Sequence, residues 1–329
     1  MMAETITLGK ALNHGLRRAL ENDSKVVIMG EDVGKLGGVF RITDGLQKDF
    51  GEDRVIDSPL AEAGIVGTAV GLAIRGYRPV CEIQFDGFVF PAYNQIVAQV
   101  AKMYYRSMGK VRIPIVIRIP YGGGIGAVEH HSESPEAYFA HTAGLKVVTC
   151  ANPADAYVMI QQAIASDDPV VFFEPKRRYW EKGEVDLDID LAGAYPLHAS
   201  RVAREGTDAT LIAYGPMVRV ALDAATAAAE DGRNLEVIDL RTLSPLDLDP
   251  VYASIRKTGR AVVVHEAPGN VGLGAEIAAR ITEECFYSLE APVLRVTGYD
   301  TPYPAARVEE EYLPDLDRVL DAVDRSFGW

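Results

Sequence analysis

Two groups of residues in this chain have types and spacings suited to chemistry. The first is a lone carboxylate, Glu62, inside the small-residue run Leu60-Ala61-Glu62-Ala63-Gly64-Ile65-Val66-Gly67, which continues apolar to Ile74. A charge in such a run is expected to be desolvated, and so to be paired, protonated with a raised pKa, or holding a ligand. The alternative is a helix start: Ser58-Pro59 precede it, and a first-turn carboxylate is stabilised by the helix dipole. The second group surrounds the strand-like Val80-Cys81-Glu82-Ile83-Gln84-Phe85, which runs into Asp86-Gly87-Phe88. In a parallel α/β sheet ligands bind beyond the carboxyl ends of strands, which places Gln84, Phe85 and Phe88 to line a site for a flat heterocycle. Taken singly, Phe85, Phe88, Phe90 and Tyr93 each fit better as core aromatics, and only their coincidence with Glu62 argues for a site.

A glycine loop, Tyr121-Gly122-Gly123-Gly124-Ile125-Gly126, leads to the pair His130-His131. Consecutive glycines admit backbone conformations closed to other residues and allow a ligand or a second chain to approach closely. Adjacent histidines in an extended segment point to opposite sides, so one is expected to be functional and the other structural; neither has a helical zinc-ligand spacing. Two other motifs are read as decoys. Gly269-Asn270-Val271-Gly272-Leu273-Gly274 lacks the dinucleotide-binding spacing and suits a tight strand-to-helix turn. Asp186, Asp188 and Asp190 alternate with apolar residues and read as a solvated strand face rather than a calcium site.

The elements that must position these groups alternate short β-branched runs with helical stretches, the pattern of parallel sheets covered by helices. In the first half, strands are expected at 26–30, 79–85, 113–119, 146–150 and 170–174, with helices at 7–21, 61–74, 92–106 and 153–165. In the second half, strands are expected at 209–214, 235–240, 261–265 and 293–296, with helices at 218–230, 275–285 and 316–326. Periodicity fades between these halves. The fold class is therefore α/β with two domains, each a mainly parallel sheet flanked by helices, over 1–180 and 208–329, joined by a linker at 181–207.

With 329 residues, 48% hydrophobic and 24% charged, the chain has enough material for two cores. A net charge of −14 disfavours nucleic acid, which is held by clusters of Lys and Arg. The longest apolar run is shorter than the roughly 20 residues a bilayer span needs, so no membrane partner is expected. Cys81, Cys150 and Cys285 read as free thiols. With no secretory or transit pattern at the N-terminus, a cytoplasmic location is expected.

Several segments, in order, resemble the beta subunit of the thiamine-diphosphate-dependent decarboxylating component of 2-oxo acid dehydrogenase complexes. They include Ile28-Met29-Gly30-Glu31-Asp32-Val33, Ser58-Pro59-Leu60-Ala61-Glu62-Ala63-Gly64 and Ala92-Tyr93-Asn94-Gln95-Ile96-Val97. His131-Ser132-Glu133-Ser134-Pro135-Glu136-Ala137, Phe172-Phe173-Glu174-Pro175-Lys176 and Val264-His265-Glu266-Ala267-Pro268 extend the resemblance over nearly the whole chain. Glu82-Ile83-Gln84-Phe85 and Gly298-Tyr299-Asp300-Thr301-Pro302 look closest to the branched-chain 2-oxo acid members. Phe88 is a departure, standing where mammalian-type branched-chain subunits carry tyrosine.

The resemblance implies a transketolase-like pyrimidine-binding domain followed by a transketolase C-terminal-like domain. Glu62 matches the carboxylate that hydrogen-bonds the aminopyrimidine of thiamine diphosphate. Phe85 or Phe88 would stack on the pyrimidine, with Gln84 nearby and Leu60 on the thiazolium side. His131 matches the histidine of the active-site channel, as a proton donor in lipoyl acylation or a guide for the lipoyl arm. A structural potassium site maps onto Ile115, Ala163, Ile164, Ser166 and Asp168, with Ser166 where mammalian-type relatives carry aspartate. No Gly-Asp-Gly magnesium and diphosphate motif occurs in the sequence. Magnesium is therefore expected on an alpha subunit, within an alpha2-beta2 heterotetramer.

The partners implied are that alpha subunit, the lipoyl and subunit-binding domains of a dihydrolipoyl transacylase, and a branched-chain 2-oxo acid. A pyruvate or acetoin dehydrogenase beta subunit is the alternative enzyme, and a non-catalytic scaffold subunit is the alternative of another class.

Overall fold

In the computed structural model, which describes residues 3–329, the chain forms two α/β layers and a separate short two-stranded ribbon. The strands are β1 (Glu4–Thr7), β2 (Val26–Gly30), β3 (Val55–Asp57), β4 (Arg78–Glu82), β5 (Val116–Tyr121), β6 (Lys146–Thr149) and β7 (Val170–Pro175). They continue as β8 (Lys182–Val185), β9 (Arg201–Arg204), β10 (Ala209–Ala213), β11 (Leu235–Asp239), β12 (Thr242–Ser244), β13 (Ala261–Pro268) and β14 (Leu294–Gly298). The first sheet has the order β12-β6-β7-β5-β4-β2-β3, parallel except for β12. The second has the order β14-β13-β10-β11-β9, parallel except for β9.

Strands β2, β5 and β7 are buried along their whole length, as expected where helices cover both faces of a parallel sheet. Helices Leu8–Asn22 and Pro153–Ala165 pack against each other on one side. Both have capped N-termini: Thr7 accepts from the Lys10 N–H at 3.2 Å, and Asn152 accepts from the Asp155 N–H at 2.9 Å. No helix of the described residues is long and apolar enough to cross a membrane.

Several expectations are revised. The segment 181–207 is not plain linker: β8 pairs with β1, and β9 joins the second sheet. From the other side, β12 of the second half crosses to pair with β6 of the first sheet. The continuous helix expected over 92–106 is broken. It opens as a 3-10 segment, Asp86–Ala92, containing Pro91, then passes through a π segment at Ile96–Val100 to a short helix at Met103–Arg106. A proline lacks the N–H that regular α geometry would use, and one-turn π insertions locally re-aim a helix. Asp186, Asp188 and Asp190 are exposed, as expected, but in a turn rather than on a strand.

Arg118 on β5 is fully buried between strands on both sides. Its Nη1 donates to Glu82 at 2.6 Å, while Nε and Nη2 donate to the two Glu174 oxygens at 2.6 and 2.9 Å. Tyr179 adds a further donor to Glu174 at 2.6 Å. Burial alone would lower the Arg118 pKa, but Glu174 and Glu82 push it up. Truncation would leave two buried carboxylates without a cation. Arg118→Met should therefore destabilise the chain by about 3–5 kcal/mol, measured by denaturant unfolding; a loss inside the ±0.5 kcal/mol typical of a surface site would show that the pair is dispensable.

Helix Glu62–Ile74 follows β3 and leaves one side open: Ala63, Gly64, Thr68 and Gly71 are exposed, as is Ile74 at 52%. A Cβ on Gly71 would meet nothing within 4 Å, and one on Gly67 would meet only Gln95 at 3.9 Å. Gly71→Leu should leave the lone chain folded, even gaining up to about 1 kcal/mol of helix propensity. In the assembled protein it should impair subunit association, read by analytical ultracentrifugation. Unimpaired assembly would place this face in solvent.

Candidate active site

Because β2, β4, β5 and β7 are parallel neighbours, the segments following their carboxyl ends meet at one edge of the first sheet. They deliver Glu31-Asp32, Gln84 to Phe88, the glycine loop with His131, and Lys176. Glu62 arrives at the same edge in the first turn of its helix. The helix-start reading of Glu62 therefore holds, whereas its expected desolvation does not: the side chain is half-buried, and Leu60 beside it is 72% exposed. The apolar run around Glu62 supplies a helix whose open side faces outward, so in this chain alone nothing encloses the carboxylate.

Glu62 is one of a group. The Glu31 carboxyl is held above the usual carboxylate range, first by partial burial and then by the charges of Asp32 and Glu62. Asp32 takes a left-handed backbone conformation, φ 58°, which is uncommon outside glycine, asparagine and aspartate. Gln84 reaches across from β4 to donate to the Glu31 carbonyl at 3.4 Å.

Phe85, Phe88 and His131 come together as the sequence suggests, in an arrangement it does not reveal. The His131 ring stacks on Phe85 with centroids 3.9 Å apart and 13° between planes, and it meets Phe88 edge-on at 5.0 Å. In this conformation that face of Phe85 is covered by His131 rather than free for a pyrimidine. The two histidines lie in a 3-10 turn, Glu129–His131, not in an extended segment. His130 is exposed near Glu129, while the His131 Nδ1 sits 2.9 Å from the His130 carbonyl. Donation from Nδ1 to that carbonyl leaves Nε2 as the nitrogen for proton exchange.

Beneath the rings lies a buried ion pair. Lys176 Nζ donates to Asp86 and, at 2.6 Å, to the His131 carbonyl. Asp86 also accepts from the Glu133 N–H at 2.8 Å. Lys176 further sits 5.5 Å above the Phe85 ring. Burial pushes Asp86 up to about 6 against the pull of Lys176, and pushes Lys176 down. Sequence reasoning passed over this pair; the available signal was two charges just past the ends of apolar strands.

The glycine loop does admit a close approach, by the chain's own second domain. A Cβ on Gly123 would fall 1.7 Å from the Tyr303 hydroxyl. Glu266, fully enclosed, accepts from the Gly123 N–H, and Glu309 accepts from Gly124 and Gly126. A small cavity of about 110 Å³ beside this junction is lined by Ser132, Ser134, Glu266, Thr301, Tyr303 and Tyr312, among others. A larger groove of about 910 Å³ between the domains includes Tyr93, Tyr138, Pro268 and Val271 in its lining. Asn270 to Leu273 border this groove, so the decoy glycine segment is a strand-to-helix turn there, leading from β13 into helix Leu273–Cys285.

The residues mapped to a potassium site offer hard oxygen donors at the end of helix Pro153–Ala165, where carbonyls attract cations. Arg78 already donates to the carbonyls of Ile164 and Ser166 at 3.1 and 2.9 Å. The carbonyls of Ile115 and Ala163 accept from the N–H groups of Val170 and Ser166 at 2.9 and 3.2 Å. A potassium ion would use second lone pairs on these oxygens together with exposed Asp168. Among the described residues no group of three or more His, Cys, Asp or Glu is placed to hold a metal ion.

Comparison with known proteins supports the two-domain fold and gives the family. Residues 4–181 match the family "Transketolase, pyrimidine binding domain", and residues 198–319 match "Transketolase, C-terminal domain". A "Pyruvate dehydrogenase E1 component subunit beta" of Leifsonia xyli subsp. xyli (strain CTCB07) is 64% identical, over 99% of this chain and 96% of that protein. A "3-methyl-2-oxobutanoate dehydrogenase subunit beta" of Mycobacterium tuberculosis (strain ATCC 25618 / H37Rv) is 53% identical, over 98% and 92%. Among solved structures, a "Split gene transketolase, inactive beta4 tetramer" covers 98% of both chains with a TM-score of 0.79; at 22% identity it supports the fold alone. The chain belongs to the beta subunits of the thiamine-dependent decarboxylating component of 2-oxo acid dehydrogenases.

Proposed function

We propose that this chain is the beta half of a branched-chain 2-oxo acid dehydrogenase, decarboxylating its substrate and passing the acyl group to a lipoyl arm of a dihydrolipoyl transacylase. The observation that carries the reading is the meeting of Glu62, Gln84, Phe85, Phe88 and His131 at one sheet edge that is open on the outside. The residues fit the pyrimidine half of thiamine diphosphate, with an accessible carboxylate, a neighbouring amide and the Phe88 ring beside them, and the sequence lacks the Gly-Asp-Gly motif that would hold the diphosphate. Bound there, the cofactor supplies the carbanion chemistry that 2-oxo acid decarboxylation needs.

The chain's own residues hold and protonate. Glu62 would hydrogen-bond the ring nitrogen of the pyrimidine and hold the proton shared there. Enclosure by a partner over the exposed helix Glu62–Ile74 would add the desolvation that the lone chain lacks. Leu60, exposed here, would be covered on the thiazolium side. His131 delivers a proton from Nε2 to the opening dithiolane while Phe85 and Phe88 fix its ring plane. The partner is an alpha subunit carrying the magnesium and diphosphate donors, in an alpha2-beta2 heterotetramer. Potassium at Ile115, Ala163, Ile164, Ser166 and Asp168 belongs to the same proposal, as a structural ion.

The 64% identity to a pyruvate dehydrogenase subunit favours a second reading in which pyruvate is the preferred acid. Steady-state rates with both acids, measured with the alpha partner present, separate the two: a higher kcat/KM on 3-methyl-2-oxobutanoate supports the branched-chain reading, and a higher value on pyruvate replaces it.

The lone chain with magnesium should bind thiamine diphosphate weakly by calorimetry, and the reconstituted complex should bind it well. Micromolar affinity of the lone chain, roughly −8 kcal/mol, would contradict the shared site. Glu62→Gln should nearly abolish both decarboxylation with an artificial electron acceptor and the complete reaction. His131→Ala should depress lipoyl acylation by roughly 10²–10⁴-fold, the usual worth of a general acid, with a far smaller effect on the artificial-acceptor reaction. Equal losses in the two assays would move His131 to decarboxylation or cofactor binding.

A further inference from the structure

The segment that carries His131 is held at two points. At its far end, Lys176 and Asp86 bind the His131 carbonyl and the Glu133 N–H. At its near end, Gly122, Gly124 and Gly126 all take left-handed conformations, φ 82°, 79° and 72°. Alternating left-handed residues turn successive N–H groups toward one hollow, a backbone arrangement that binds anions. Here the hollow is filled from within the chain. The Glu309 carboxylate accepts from Gly126 at 2.7 Å with one oxygen and from Gly124 at 3.1 Å with the other. Glu266 accepts from Gly123, and Tyr303 donates to Glu309 at 2.9 Å.

All three of these side chains belong to the second domain and are buried, with Glu309 6% and Glu266 3% exposed. The stretch between the two holding points packs on Gly87 through the His130 backbone but, among the described residues, makes no hydrogen bond to the second domain. Ile125, Val128, Glu129 and His130 are exposed, and its backbone bonds are local turns from His131 to Val128 and from Ser132 to Glu129.

We propose that Glu309 and Glu266 are positioning residues. By binding the amides of the glycine loop, the second domain sets the height of the 3-10 turn and so holds the His131 ring against Phe85. This inference rests on the reading of His131 as a lipoyl-step residue. Charged acceptors on backbone amides are worth more than neutral ones, and an amide replacing Glu309 keeps only one acceptor oxygen for two N–H groups.

The test uses the complex assembled with its alpha subunit. Glu309→Gln should speed hydrogen exchange at Gly124 and Gly126 about tenfold or more, as loss of a charge-assisted hydrogen bond predicts. It should lower lipoyl acylation about tenfold, leave the artificial-acceptor reaction within about twofold, and cost nothing further when added to His131→Ala. Tyr303→Phe, which keeps the ring and removes both the donor to Glu309 and a 3.3 Å acceptor for the Gly124 N–H, should change both readouts in the same direction by less, with Gly126 reporting the Glu309 contact alone; it serves if Glu309→Gln fails to fold. Unchanged exchange at Gly124 and Gly126 would overturn the anchor. Faster exchange with equal losses in both assays, or a full additional loss on the His131→Ala background, would overturn the positioning role. Should His131→Ala itself show no selective lipoyl defect, the functional reading fails, while hydrogen exchange still judges the anchor.

Discussion

The buried pair of Lys176 and Asp86 is the constraint on which the site depends. Two ions enclosed together repay their desolvation only when their remaining hydrogen-bonding capacity is used. Here it is used on the site itself. Lys176 also binds the His131 carbonyl, and Asp86 also binds the Glu133 amide, so the pair joins the ends of β4 and β7 to the loop after β5. That junction holds one end of the segment that stacks His131 on Phe85. The Arg118 network one layer deeper does the same for the strands, fastening β5 to β4 and β7 through Glu82 and Glu174. A parallel sheet offers its strand ends as a site, and charges buried between the strands fix where those ends lie.

The chain presents this site half-finished. Glu62, Gln84, Phe85 and Phe88 converge, yet Leu60, the first turn at Glu62 and the small-residue stripe through Gly71 remain open. Small residues let a second backbone come close, so the same helix that delivers Glu62 also offers a surface for assembly. Activation of Glu62 and association of subunits would thereby be one event, because covering that helix removes water from the carboxylate. The second domain contributes from within the chain, through β12 in the first sheet and through Glu266, Glu309 and Tyr303 on the glycine loop.

What was legible in the sequence was local. Alternating β-branched runs and helical periods disclosed two α/β layers, and the residues after the strand ending near Glu82 marked the site edge. The Glu62 helix was readable from Ser58-Pro59 and the apolar run, although its exposure was not, since the same run suits a core helix or a partner surface. Strand β3 has only three residues, too few for a periodic signal. The break inside 92–106 falls at the π segment Ile96–Val100 and the turn after it, where no glycine or proline announces it. Pairings such as Lys176 with Asp86, or Glu309 with Gly126, join residues 90 and 183 positions apart, and no local pattern encodes them. Their trace was the isolated charge in an apolar setting: Arg118 between isoleucines, Glu174 after two phenylalanines, Glu266 at the end of a valine run.

The central claim is that this chain supplies the pyrimidine side of a thiamine diphosphate site completed by another subunit. A structure of the assembled alpha-beta complex with thiamine diphosphate and magnesium tests it most directly. The account predicts the Glu62 carboxylate within hydrogen-bond distance of the pyrimidine ring nitrogen, roughly 2.6–3.2 Å, with helix Glu62–Ile74 covered by a neighbouring chain and the diphosphate held by the alpha subunit. Cofactor bound away from Glu62, or its diphosphate held by residues of this chain, would contradict it.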